Sequence, residues 1–128
     1  MNDNDLVDRF LSGTLASFSH RDHVRVGFLL LSMQDFDDTT QIVSDRIRAM
    51  AAAVGDTSKF HVTRTVAWLH LIDSARSTGP NPPDSESFLN DHPELLRSGL
   101  LDDHYSAELL RSPAARAEFL APDLAPLR

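Results

Sequence analysis

The chain has 128 residues, 41% of them hydrophobic, enough for one domain that builds its own core without staples. Twelve basic against 19 acidic residues leave a net charge of −7, which opposes attraction to nucleic-acid phosphates or to an anionic membrane surface. Cysteine is absent, so disulfides and thiolate metal sites are excluded and any metal needs imidazole or oxygen ligands.

Along the chain, Leu6, Val7, Phe10 and Leu11 recur at helical spacing, and Gly13-Thr14 ends the pattern, which predicts a short first helix. The acidic start, with Asp3, Asp5 and Asp8, does not read as a secretory signal. Ser19 reads as the cap of a second helix from about His20 to Met33, with Asp22 completing a capping box. Val24, Gly27, Phe28 and Leu31 form its stripe, and Val26, Leu29 and Leu30 widen it, so this helix is expected to be central. The longest apolar run, Val26 to Leu31, is far below the roughly 20 residues that span a bilayer, and a soluble, cytoplasmic protein is expected.

Asp37-Asp38-Thr39 predicts the cap of a third helix running to about Val54 and stopped by Gly55. Val43, Ile47, Met50 and Val54 are its apolar side, with Arg46 and Arg48 facing away. Thr57 or Ser58 then caps a fourth helix, about Lys59 to Ser77, apolar on two sides. Ser77 to Pro83, with three prolines and a glycine, is the clearest breaker. Beyond it short helices are expected at Ser85 to about Asn90, Pro93 to Leu96, Ser106 to Arg111, and from Ser112-Pro113 to Phe119, followed by an extended tail. No segment alternates with period two at strand length. The expected fold is all-α: a single compact domain, 1–128, of about three long helices plus a C-terminal region of short ones.

Three histidines stand out. His20 and His23 lie three residues apart and share a helix face, and His61 lies near the start of another helix. A histidine at a helix N-terminus is biased toward its neutral form, the state that acts as a base or a metal ligand. His20, His23 and His61 are therefore candidate catalytic groups and the candidate ligands of a divalent transition metal, the cofactor left open by this residue set. The competing reading makes them ordinary polar residues at helix ends. On the functional reading, replacing His61 harms function more than stability, and replacing Phe28 does the reverse.

Around this cluster, Arg64 could bind a carboxylate, and Thr65 and Trp68 continue the face that His61 begins. His104 and Tyr105 precede a short helix that could cover a pocket, Tyr105 as a catalytic proton donor and His104 as a substrate contact. For Tyr105 the alternative is an aromatic plug with its hydroxyl on a backbone carbonyl. His70 and His92 read as structural or solvent-facing.

The segments Arg9-Phe10-Leu11-Ser12-Gly13-Thr14-Leu15, Phe18-Ser19-His20 with His23-Val24, Lys59-Phe60-His61-Val62-Thr63, His92-Pro93-Glu94-Leu95-Leu96 and Tyr105-Ser106 resemble a group of small bacterial proteins of unassigned function. The resemblance runs from about Phe10 to Leu127. It implies a helical fold and the same placing of the three histidines, and it brings no activity. Val62 stands where members of the group often have Glu, so this chain departs from them at the carboxylate beside His61.

The expected function is that of a small-molecule enzyme performing proton transfer, elimination or hydrolysis, in the setting of a specialised metabolic pathway. No phosphate-cradling glycine loop or nucleotide fingerprint is present. The rivals are a non-catalytic module that binds a small molecule or metal, and an interaction protein with incidental histidines. An open cleft beside the histidines favours the first, and a closed site or flat surface the others.

Overall fold

The computed structural model describes residues 1–127, and every regular element among them is helical. Helix α1 (Asp3–Ser12) is capped by Asn2 and ends at Gly13, whose φ of 75° is the left-handed conformation that closes a helix. Helix α2 (His20–Met33) opens on the expected capping box, with the Asp22 amide 3.1 Å from Ser19 Oγ and the Ser19 amide 3.3 Å from Asp22 Oδ2.

Helix α3 (Phe36–Ala53) begins earlier than expected, because Asp35 is the cap and accepts the Asp38 amide at 2.8 Å. Asp37 and Asp38 thereby fall in the first turn, where the positive end of the dipole favours carboxylates. Helix α4 (Val62–Arg76) begins later than expected. Thr57–Lys59 is a separate 3₁₀ turn capped by Asp56, Phe60 is extended and buried, and His61 itself caps α4. The remaining helices are α5 (Ser85–Asp91), α6 (Ala107–Arg111) and α7 (Pro113–Ala117), with 3₁₀ turns at Pro93–Leu96 and Ser98–Asp103. The last of these turns has no side-chain cap to announce it.

Helix α2 lies at the centre, in contact with α1, α3, α4 and α5. It approaches α4 at Gly27, where a Cβ would stand only 2.7 Å from Ile72 Cδ1 and 3.3 Å from Leu69 Cδ2. Phe28 stacks on Phe88 of α5 at 4.1 Å between ring centroids. Arg25 is buried and ties the N-terminus to α5, its Nε donating to Ser85 Oγ at 2.9 Å and its Nη2 to Asp3 Oδ1 at 3.0 Å. None of the helices among the described residues is long and apolar enough to cross a membrane.

Two features of the chain path create the site. His20 sits beside Trp68 and Gly27 beside Leu69 and Ile72, so α2 packs against α4 with its first turn near the N-terminal half of that helix. The short link at Gln34 and Asp35 reverses the chain, which brings the C-terminal half of α3 back to this same region.

The C-terminal segment is strapped over the start of α4 by side-chain bonds to its backbone. His61 Nε2 donates to the Leu110 carbonyl at 2.7 Å, Thr63 Oγ1 donates to the Glu118 carbonyl at 2.9 Å, and the Leu120 amide donates to Thr63 Oγ1 at 3.1 Å.

Candidate functional site

A cleft of about 630 Å³ opens where the N-terminal ends of α2 and α4 meet the C-terminal half of α3, with the segment from Gly13 to Ser19 along one side. That volume is in the range of small-molecule sites, roughly 300–1,000 Å³. His20, His23, His61, Arg64, Thr65 and Trp68 all line it, so the fold brings together six of the eight residues singled out from the sequence.

The histidines are not equivalent. His20 Nε2 lies 2.8 Å from the Leu95 carbonyl, which can only accept, so this nitrogen carries the proton. In the neutral ring Nδ1 is then the lone pair, and it makes no hydrogen bond among the described residues. The ring meets Trp68 edge-on, 4.4 Å between centroids.

His23 is different. Its Nε2 is buried with no hydrogen-bond partner among the described residues. Burial, with the neighbouring His20 adding a smaller push, lowers its pKa to about 4, so the ring is neutral at physiological pH. The unfolded chain takes up this proton near pH 6.5 and the folded one only near 4, so stability from His23 is complete above 6.5 and falls between the two values. Acidification from pH 6.5 to 4 is therefore expected to cost about 3 kcal/mol through this one ring. Denaturant melts across that window should show the loss, and His23→Leu should flatten it; an equal slope in both proteins would place the acid lability elsewhere.

His61 is committed on both nitrogens. Nδ1 accepts the Arg64 amide at 3.1 Å as the N-cap of α4, while Nε2 donates to Leu110. Burial holds its pKa below the usual value, Arg64 and Arg116 push the same way, and the bond to Leu110 partly offsets them.

This geometry does not assemble the expected three-histidine metal site among the described residues. His20, His23 and His61 share a cleft, but Nε2 of His20 and both nitrogens of His61 are spent on the backbone, and the described residues contain no group of three ligating side chains placed around a point. Metal coordination needs a free lone pair from each ring. Exhaustive dialysis against EDTA is expected to leave the melting temperature unchanged, and added Zn²⁺ to give no gain. At about 100 times a dissociation constant a true site would gain roughly 2.7 kcal/mol, and a rise of that order would restore the metal site.

Tyr105 and His104, the other two expected site residues, do not line this cleft. Tyr105 is 1% exposed, its hydroxyl donates to the Leu120 carbonyl at 2.7 Å, and burial, helped by Asp123, pushes its pKa up to about 12. A phenol in that state is an anchor for the C-terminal segment and a poor proton donor. His104 is buried with Nδ1 3.1 Å from the Ala125 carbonyl.

Arg46 and Lys59, by contrast, line the cleft without having been singled out for it. Arg46 does not face away: it is three residues after Val43 and four before Met50, so it shares their side of α3, and that spacing was the available signal. Arg48 has its guanidinium 4.6 Å from the centre of the Phe60 ring.

No known protein family, curated protein or solved structure matches the chain.

Proposed function

We propose that the protein is a small-molecule enzyme that binds its substrate in this cleft and uses His20 as the base in a metal-free proton transfer, elimination or hydrolysis. The observation that carries the reading is the His20 ring, held by Leu95 in one tautomer on the wall of a cleft of ligand size. A backbone carbonyl on one nitrogen orients the ring and leaves the other as the proton acceptor, the arrangement that general-base catalysis requires. Trp68 and Thr65 form the adjoining wall, one apolar and one able to hydrogen-bond a substrate.

The second reading is a binding module without chemistry. It is favoured by the commitment of His61 to the backbone and by the distance of Tyr105 from the cleft lining, which leave His20 without an evident acid partner.

Trp68 is the sole tryptophan of the chain and contacts His20, so its fluorescence reports occupancy directly. Screening small metabolites by quenching of Trp68, then following each hit for conversion by NMR, tests both readings. Turnover that falls about 10²–10⁴-fold in His20→Gln while affinity changes little supports the enzyme. Hits that bind and return unchanged support the binding module, and turnover undiminished in His20→Gln removes His20 from the chemistry.

A further inference from the structure

Arg46 is a charge without an answer. Arg21, Arg25, Arg48, Arg76 and Arg97 each pair with a carboxylate, whereas Arg46 has none within ion-pair distance among the described residues. Nor is it freely solvated, for its Nε is buried and has no hydrogen-bond partner among them. A buried N–H left without an acceptor is unfavourable, and an oxygen supplied by a ligand would offset that.

Gly13 lies directly against this side chain. Gly13 takes a positive φ at the end of α1, and a Cβ there would collide with the Arg46 guanidinium. The positive φ is what favours glycine here, and it leaves the guanidinium room beside the turn.

The rest of the cleft has the same sign. Lys59 and Arg64 line it, the N-terminal ends of α2 and α4 reach it through their caps Ser19 and His61, and among the described residues no Asp or Glu lines it, in a chain with 19 of them. Phe18, Ile47, Met50 and Trp68 supply apolar wall. The planar, bidentate guanidinium matches a carboxylate, and one such group balances one negative charge.

Resting on the reading of the cleft as a ligand site, we propose that its ligand is a small organic carboxylate, the acid group held by Arg46 and the apolar body packed along Ile47, Met50 and Trp68. Arg46 is then the specificity-determining contact, and His20 acts on a substrate already oriented by its charge.

Hydrocinnamate and its uncharged analogue hydrocinnamide, titrated separately against Trp68 fluorescence and histidine NMR signals, test this. The acid is expected to bind at least about tenfold more tightly than the amide, with an affinity that weakens as salt is raised. Arg46→Gln should erase the preference by weakening the acid far more than the amide, and the salt dependence of the unaltered protein gives the same answer should the variant fold poorly. Equal binding of acid and amide, or an acid affinity indifferent to Arg46 and to salt, overturns the carboxylate assignment while the cleft stands as a ligand site. Absence of any perturbation by either compound at millimolar concentration overturns this proposal and the reading beneath it together.

Discussion

Truncating Phe28 to Ala is expected to destabilise the protein by about 3–5 kcal/mol, a fall in melting temperature of roughly 10–20 °C. Phe28 is 3% exposed on the central helix and stacks on Phe88, which is itself fully buried. Removing the ring forfeits its burial, breaks the aromatic pair and opens a cavity between α2 and α5 that two packed helices cannot collapse to fill. Ligand binding should survive at temperatures where the variant is folded, because Phe28 does not line the cleft. A loss below about 2 kcal/mol would mean that the site relaxes far more than its packing implies.

The second large effect is expected at His61, where replacement by Ala should cost about 2–4 kcal/mol. That reverses the ordering suggested by residue type alone, in which function suffers more than stability. The side chain caps α4, a role whose loss costs about 1 kcal/mol, and it also satisfies the Leu110 carbonyl, whose orphaning adds about 1–3 kcal/mol. It is one of the ties that hold the C-terminal segment to the start of α4, along with Thr63. His61→Asn offers a sharper probe, since its amide oxygen can still cap the helix and should return about 1 kcal/mol without restoring the bond to Leu110. Chemical denaturation of the three proteins gives the comparison. A cost for His61→Ala under about 1 kcal/mol would free the imidazole for a role in the cleft.

Much of the architecture is legible in the sequence because it depends on contacts close in the chain. The Ser19 to Asp22 capping box places the start of α2 at His20, and Gly13 closes α1 through its backbone conformation. Helical spacing groups His20 with His23, and His61 with Arg64, Thr65 and Trp68, and the packing of α2 against α4 brings both sets to one cleft. Where strong local signals compete, the same reasoning misplaces boundaries. Thr57 and Ser58 look like helix caps, yet burial of Phe60 makes the chain extend after Lys59, and the capping role passes to His61.

By itself, then, the sequence determined the helical class, the position of α2 and the shared face of His20 and His23, since capping, periodicity and turn chemistry act over three or four residues. What each ring can do was decided only by tertiary structure. The partner of His20 is 75 residues away at Leu95 and that of His61 is 49 away at Leu110, and no local pattern encodes which distant carbonyl will claim an imidazole nitrogen. The same holds for Arg46, which becomes an unpaired charge in a cleft only when the reversal after α2 brings α3 back beside Gly13.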